Sequence, residues 1–167
     1  MIKKMLRRLK RLIFNRKKEE DSEVQIGKNV DSINSYIDSG FGWLITIGDN
    51  VTITNATILA HDASTKKSLG YTKVGRVDIG DNVFIGPNCG FYTSGHPLDI
   101  ELRNKGIEYA KPIKIGNNVW IGGNVVILPG VTIGDNSVIG AGSIVTKDIQ
   151  ENTVAVGNPC KVIKKLT

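Results

Sequence analysis

One of the two histidines in this chain, His96, has the surroundings of a candidate general base. It stands in the segment FYTSGHPL, where a run of regular repeats ends and a polar stretch begins. A neutral imidazole can remove a proton from an alcohol or an amine near pH 7. The alternative interpretation is a surface histidine beside Pro97, which is the commoner role of an isolated histidine.

A six-residue repeat predicts the framework that positions His96. In ten segments an aliphatic residue comes first, Gly usually follows, and a small or β-branched residue is fifth. The segments begin at Ile26, Ile47, Ile53, Ile79, Ile85, Ile115, Ile121, Ile127, Ile133 and Ile139. A hexapeptide period kept this long predicts a β-solenoid, in which three repeats close a triangular turn of about 18 residues.

Residue types within the repeat predict which side chains point inward. We expect the first and fifth positions inside, because the fifth is small or β-branched, as a tightly stacked interior requires. The fifth positions are Val30, Val51, Thr57, Val83, Cys89, Val119, Val125, Val131, Ser137 and Ser143. The fourth positions predict left-handed bends, since Asn and Gly tolerate positive φ. They are Asn29, Asn50, Ala56, Asn82, Asn88, Asn118, Asn124, Gly130, Asn136 and Gly142.

Three stretches, 32–44, 60–76 and 97–112, interrupt the repeats. The second contains His61, Asp62, Ser64 and Thr65, and the third begins directly after His96. Long insertions in solenoids tend to lie over a binding face. We therefore expect a β-helix domain over 24–150, preceded by a basic amphipathic helix at 1–20 and followed by a C-terminal cap at 151–167.

The formal charge of +6 is concentrated at the N-terminus. Residues 1–18 hold nine Lys or Arg and no acid, whereas the remainder holds 13 basic and 16 acidic residues. Apolar residues recur there at helical spacing, which predicts a helix that lies on an anionic membrane surface or packs on the body or another subunit. The chain lacks interleaved aromatic and basic residues, so we expect no nucleic-acid binding.

Three further features indicate the compartment and the absence of a metal. No apolar run approaches the roughly 18–20 residues that span a bilayer, and no cleavable signal is evident. We expect a cytoplasmic protein, peripheral at the inner face of the membrane if residues 1–18 bind lipid. Cys89 and Cys160 lack the spacing of metal ligands, so we expect no metal site. Cys89 falls on an inward position, as a small core residue would.

Several motifs together resemble the hexapeptide-repeat acyltransferase family, in particular the maltose, galactoside and nodulation-factor acetyltransferases. The motifs are TSGHPL, ELRNKG, Tyr109, PIKIGNNVWIGG, VVILPGVTIGDNSVIGAGSIVTKDI and VGNPCKVIKK. The resemblance covers roughly residues 77–166, while the first 76 residues look more like acetyltransferases that modify surface polysaccharides. It implies a left-handed parallel β-helix and a homotrimer that uses acetyl-CoA at active sites between subunits.

The resemblance also implies roles for individual residues. His96 matches the catalytic base, Trp120 the aromatic residue that lines the CoA and acceptor cleft, and Gly123 the backbone N–H that holds the thioester oxygen. The residues that match other CoA contacts are Ala141, Thr146 and Lys147 along the pantetheine arm, and Lys161 and Lys164 near the nucleotide phosphates. His61 and Asp62 either line the acceptor pocket or cap a loop.

The implied activity is transfer of an acetyl group from acetyl-CoA to a hydroxyl of a saccharide, in surface polysaccharide biosynthesis. We expect direct transfer, because an inward Cys89 is poorly placed for an acyl-cysteine intermediate. Acetylation of antibiotics or of amino sugars is an alternative within the same fold. A hexapeptide carbonic anhydrase needs three histidines on zinc, which two histidines in one chain disfavour. A non-catalytic assembly solenoid is disfavoured by the set of matched site residues.

Overall fold

A computed structural model describes residues 23–64, 66 and 70–167 of the chain. The basic amphipathic helix predicted for residues 1–20 lies outside these described residues. No helix in the described part of the chain is long and apolar enough to cross a membrane.

Three sheets, which we call faces A, B and C, form the walls of the molecule. Face A consists of β1 (Gln25–Ile26), β4 (Ile45–Ile47), β9 (Val77–Ile79), β14 (Ile113–Ile115) and β17 (Thr132–Ile133). Face B consists of β2 (Asp31–Ile33), β5 (Thr52–Thr54), β10 (Phe84–Ile85), β15 (Trp120–Ile121), β18 (Val138–Ile139), β20 (Thr153–Val156) and β21 (Lys161–Lys165). Face C consists of β3 (Tyr36–Ile37), β6 (Thr57–Leu59), β11 (Gly90–Tyr92), β16 (Val126–Ile127) and β19 (Ile144–Val145).

The chain passes through faces A, B and C in turn and then returns to face A, which makes a parallel β-helix. Equivalent residues of successive coils pair in register, as Ile47 does with Ile79. From Ile47 to Ile139 the first-position isoleucines are at most 4% exposed, so they form one continuous core. Ile26 is 57% exposed, because it belongs to the first coil described and only one neighbouring coil covers it.

Nine of the ten fourth positions adopt positive φ, as predicted, and Ala56 is the exception. The preceding residue, Asn55, takes the left-handed conformation with a φ of 45°, because Asn tolerates that region better than Ala. The repeat that begins at Ile53 is therefore one residue short. Ala56 and Ile58 are buried, and Thr57, predicted to point inward, is only half-buried.

The first predicted interruption, 32–44, was placed too broadly. β2 and β3 pair with the next coil, and Asn34, with a φ of 50°, makes the bend between them. Residues 31–37 therefore continue the coil without the usual isoleucine and glycine pattern. Only the 3₁₀ turn Ser39–Leu44 departs from it.

The other two interruptions leave the coil at the same corner, between faces C and A. The first follows β6 and contains the antiparallel pair β7 (His61–Asp62) and β8 (Lys73–Val74). The second follows β11 and contains the antiparallel pair β12 (Ser94–Gly95) and β13 (Tyr109–Ala110), with helix α1 (Ile100–Asn104) between them. Because β6 and β11 are neighbours in face C, the two insertions lie side by side.

Coil geometry persists beyond residue 150. β20 pairs in parallel with β18, so Thr153–Val156 adds one more strand to face B. β21 then turns back and runs antiparallel to β20 along the edge of that face. The closing segment of the β-helix is therefore this basic edge strand.

Candidate active site

His96 follows β12 directly, and both of its ring nitrogens face polar groups. Nδ1 lies 3.4 Å from the carbonyl oxygen of Ile107, and Nε2 lies 3.2 Å from the hydroxyl oxygen of Ser64. A carbonyl can only accept, so the Nδ1 contact favours the tautomer with the proton on Nδ1. A proton added at Nε2 would face the carboxylate of Asp62 at 3.4 Å, and in the neutral ring Nε2 accepts from the Ser64 hydroxyl. This is the form of imidazole that a general base requires.

A carboxylate completes the surroundings of His96. Oδ2 of Asp62 lies 3.4 Å from His96 Nε2, and its Oδ1 accepts a hydrogen bond of 2.8 Å from the amide of Ser64. Partial burial acts to raise the pKa of Asp62, but hydrogen bonds from Ser64 and the charge and N–H of His96 in its protonated form outweigh it and lower the pKa overall. Asp62 is therefore an anion at neutral pH, beside the nitrogen that gains a proton in base catalysis.

Two buried polar side chains near His96 were not identified from the sequence. Glu108 is 4% exposed, and neither of its carboxylate oxygens has a hydrogen-bond partner among the described residues. β12 pairs Gly95 with Tyr109, so the next step of this register places Glu108 across from His96. The hydroxyl of Ser94 is likewise buried without a partner in the described part of the chain. From the sequence alone, polar residues in a polar insertion are expected to be exposed. Only the antiparallel pairing of β12 and β13 and the burial of these side chains distinguish them.

A cleft of about 390 Å³ opens where the two insertions meet. Its walls are Leu59, His61, Asp62, Ala63, Tyr92, Thr93 and Ser94. Imidazole, carboxylate and hydroxyl groups alternate there with small apolar surfaces, which suits a polyhydroxylated molecule. His61 and Asp62, the two candidate acceptor-binding residues, both lie on this wall, and their binding role stays a prediction.

His61 has a partner that the sequence did not reveal. Its Nδ1 forms a hydrogen bond with Oδ2 of Asp38, a carboxylate that is 1% exposed. The amide of Ala60 donates to the same oxygen at 3.1 Å. The ring of Phe41 packs on the imidazole with centroids 4.5 Å apart.

Trp120 lies on face B, away from His96. It is 58% exposed and pairs in register with Phe84, which is 57% exposed. In a three-sided coil the corner between faces C and A is opposite face B. Within one chain the body of the β-helix therefore lies between Trp120 and His96, although the family resemblance assigns both residues to one active site.

Two backbone amides at the corner between faces B and C are free to bind a ligand. At the corner between A and B, the third-position amide of each coil donates to a side-chain oxygen of the next coil. These bonds run from Lys28, Asp49, Asp81 and Asn117 to Asp49, Asp81, Asn117 and Asp135 at 2.7–2.9 Å. The corresponding residues Pro87, Gly123 and Ala141 have no such side chain. The amides of Gly123 and Ala141 consequently have no acceptor within the described part of the chain.

The remaining residues matched to CoA contacts lie near the end of the coil. Thr146 and Lys147 follow β19 and are exposed, whereas Lys161 and Lys164 are exposed on β21. None of these lysines forms a salt bridge with another described residue. They are therefore available to an anionic ligand, but they lie on different sides of the coil.

Neither thiol has the surroundings of a nucleophile. Burial raises the pKa of the Cys89 thiol and that of the Cys160 thiol, which keeps both protonated and weakly reactive. Across residues 23–64, 66 and 70–167, no group of three or more His, Cys, Asp or Glu side chains is arranged to hold a metal ion.

Family models and relatives agree with this architecture. The model of the bacterial transferase hexapeptide (six repeats) matches residues 112–147, and that of the hexapeptide repeat of succinyl-transferase matches 76–98. A candidate acetyltransferase of Staphylococcus aureus strain MRSA252 is 50% identical over 153 residues, which cover 91% of this chain and 71% of the relative. The galactoside O-acetyltransferase of Escherichia coli K12 is 66% identical over 90 residues, 54% of this chain. The match spans 44% of that enzyme's length. A candidate acetyltransferase of Saccharomyces cerevisiae is 54% identical over 127 residues, which cover 76% of this chain and 59% of the relative.

Two solved structures have the same fold. A hexapeptide-repeat acetyltransferase of Vibrio cholerae, complexed with acetyl coenzyme A, is 34% identical with a TM-score of 0.74, covering 89% of this chain and 74% of that one. A galactoside acetyltransferase in complex with coenzyme A is 48% identical with a TM-score of 0.70, covering 86% and 65%. The similarity to these relatives makes the coil a left-handed parallel β-helix, as the family resemblance implied. The repeats, the fold and the identity over most of both sequences show that this chain belongs to the hexapeptide-repeat acyltransferase family.

Proposed function

We propose that this chain is an acetyltransferase that moves an acetyl group from acetyl-CoA to a hydroxyl of a saccharide. The observation that carries the proposal is His96, whose Nδ1 faces the Ile107 carbonyl while Nε2 faces a hydroxyl 3.2 Å away. A relative named galactoside O-acetyltransferase supports the reaction, and relatives solved with coenzyme A and acetyl coenzyme A support the donor.

The hydroxyl of Ser64 marks the place of the acceptor hydroxyl. There, Nε2 of His96 takes the proton as the acceptor oxygen bonds to the acetyl carbon. The bond from that carbon to the thioester sulfur then breaks, and the imidazolium returns the proton to the sulfur. A positioned general base contributes about 10²–10⁴-fold to such a rate. Asp62 stabilises the imidazolium that exists between the two proton transfers.

The described residues fit acetyl-CoA, whose thioester supplies an activated acetyl group. The unpaired amides of Gly123 and Ala141 are donors for the thioester oxygen and the pantetheine arm, and a well-placed donor to an oxyanion is worth about 3–4 kcal/mol. We assign Trp120 to one side of the arm. Thr146 and Lys147 follow face C at the corner opposite face B, so they reach the further part of the same arm only from the neighbouring chain. The phosphates meet Lys161 and Lys164, which bind as point charges.

A complete site requires a second copy of the chain, and we assign a homotrimer with cyclic symmetry. His96 projects from the corner opposite face B, so it meets the cofactor surface only if that surface comes from a neighbour. In this arrangement His96 of one chain faces Trp120 of the partner subunit. The exposed Phe84 and Trp120 then lie against the insertions of the adjacent chain.

Amino-sugar N-acetylation is the second candidate, and Asp62 is the observation that favours it. A carboxylate 3.4 Å from Nε2 would attract the ammonium group of an amino sugar and would compensate its charge until His96 removes a proton. Antibiotics with sugar hydroxyls or amines would meet the same groups. Residues 1–76 resemble acetyltransferases that modify surface polysaccharides, and residues 1–18 hold nine basic residues that would attract anionic lipid. We therefore place the protein in surface polysaccharide biosynthesis, in the cytoplasm near the membrane.

The direct test measures release of the CoA thiol with defined acceptors. Maltose, methyl β-D-galactoside and glucosamine are each incubated with acetyl-CoA and the enzyme, and the acetylated product is identified by mass spectrometry. The proposal expects an O-acetyl ester with one of the first two sugars, and none with His96→Asn. An amide on glucosamine alone would instead establish the second candidate. No acetylated product from these or from longer oligosaccharides would overturn both.

A further inference from the structure

The imidazole of His61 faces the cleft, and a buried carboxylate orients it. Oδ2 of Asp38 accepts from Nδ1 of His61 and from the amide of Ala60. Asp38 stands directly before the 3₁₀ turn Ser39–Leu44, which departs from the β-helix pattern. That turn also supplies Phe41, whose ring packs on His61. Asp38 and the turn that follows it therefore hold the side chain of His61 in place.

The burial of Asp38 is too complete for an incidental contact. The residue is 1% exposed, and its second oxygen, Oδ1, has no hydrogen-bond partner among the described residues. A buried carboxylate is destabilising unless it is well paired, and each buried polar atom without a partner needs an explanation. Holding the His61 ring in one tautomer through Oδ2 would account for a carboxylate being kept at this buried position.

This tautomer decides what His61 offers to the cleft. The carboxylate can only accept, so the proton of the neutral ring resides on Nδ1 and Nε2 is an acceptor. The side chain is 24% exposed and contributes to the wall of the cleft, next to Asp62. A ligand here finds the acceptor Nε2 of the neutral ring, which complements a hydroxyl group.

We propose that His61, held by Asp38, determines acceptor specificity by accepting a hydrogen bond from a second saccharide hydroxyl that does not react. Asp38 is the positioning residue, because it acts only through His61. The inference rests on the proposed function, and it divides the two histidines: His96 moves the proton, and His61 selects the sugar. A molecule without a hydroxyl beside the reacting one is then a poor acceptor.

Three substitutions separate these roles. His61→Asn keeps an N–H near the position of Nδ1, so Asp38 retains its partner while the acceptor at Nε2 disappears. Asp38→Ala removes the oxygen that accepts from Nδ1, so no group holds the ring proton of His61 on that nitrogen. Asp31→Ala, the same truncation on an exposed residue of β2, is the control.

With methyl β-D-galactoside or maltose, whichever the wild type acetylates, both site variants should raise the acceptor KM about tenfold. The KM for acetyl-CoA should stay within twofold of wild type. Monodeoxy acceptors sharpen the result. Removing one non-reacting hydroxyl should weaken wild-type turnover but have no further effect in His61→Asn, as expected for two groups that interact. A wild-type acceptor KM in His61→Asn overturns the proposal, even if Asp38→Ala fails to fold.

An imidazole ¹⁵N correlation spectrum of the wild-type protein tests the tautomer without any substrate. The expected pattern has His61 protonated at Nδ1, and Asp38→Ala should remove this preference, so that the form protonated at Nε2 appears. A wild-type ring protonated only at Nε2 overturns the inference whether or not the protein transfers acetyl groups. Failure to acetylate any sugar, with the expected tautomer present, would instead refute the proposed function and leave the Asp38–His61 orientation established.

Discussion

The hydroxyl oxygen of Ser64 lies 3.2 Å from Nε2 of His96, at hydrogen-bonding distance from the nitrogen that is free to accept. The two residues come from different insertions, which meet because both leave the coil at the corner between faces C and A. Ser64 thus occupies the place that a substrate hydroxyl takes in the proposed reaction. An acceptor must displace this contact before His96 can act on it.

Replacing His96 by Ala should nearly abolish transfer, with a fall in kcat of about 10²–10⁴-fold. Acetyl-CoA binding, measured by calorimetry, and the oligomeric mass should not change, since the side chain serves the acceptor proton. Asp31→Ala, a truncation of an exposed residue of β2, is the control and should keep full activity. If His96→Ala retained a large share of the wild-type kcat, another residue would take the proton, and His61 is the next to test.

Asp62 should make the stability of the protein depend on pH below about 5. Its folded pKa is lowered from 3.8, so its contribution to stability is complete above the unfolded pKa and is lost as the pH falls through the folded pKa. Urea unfolding of wild type and Asp62→Asn should therefore show a difference at pH 6 that shrinks progressively below pH 3.8. A difference that is constant with pH would show that Asp62 is not held as an anion in the folded state.

Lys161→Ala should raise the KM for acetyl-CoA several-fold and leave the acceptor KM unchanged. The exposed Lys161 on β21 carries no salt bridge to a described residue, so its charge is available to the nucleotide phosphates. Lys114→Ala, an exposed lysine on face A, is the control for a simple loss of charge. An effect on the acceptor KM alone would place the cofactor at the other end of the coil.

Mixed trimers should recover activity that neither parent has. His96→Asn chains keep Trp120, and Trp120→Ala chains keep His96. Coexpressed at equal levels, they should form sites with both residues intact at roughly a quarter of the interfaces. Light scattering should give a trimer mass. A monomer mass, or hybrids that are no more active than either parent, would rule out an active site shared between subunits.

Deleting residues 1–18 should abolish binding to vesicles that contain phosphatidylserine, while activity and the melting transition stay nearly intact. The nine basic residues of this segment account for the expected attraction to anionic lipid. Vesicles of phosphatidylcholine alone are the control and should bind neither protein. Unchanged vesicle binding after the deletion, or loss of the trimer, would favour the alternative in which the segment packs against protein.

The amino-acid sequence alone determined the coil, because each hexapeptide encodes its own strand and bend. The isoleucines and the left-handed Asn and Gly residues act locally, so their spacing was sufficient for nine of the ten bends. It was not sufficient at Asn55, where two adjacent residues compete for one left-handed position. It also missed residues 31–37, which form a coil through pairing with the next turn and not through their own pattern.

The candidate base, His96, and the pair His61 and Asp62 could be identified from residue type and position beside the insertions. Their partners could not. Asp38 meets His61, Ser64 meets His96 and Glu108 lies across from His96 only because strands far apart in sequence stack or pair, and no local preference records such contacts. The sequence determined the repeat and its likeness to a family, whereas the tertiary structure alone decided which side chains share a cleft and which lie on opposite sides of the coil. The physical reason is that backbone preferences are local, while hydrogen bonds between side chains depend on how the coils stack.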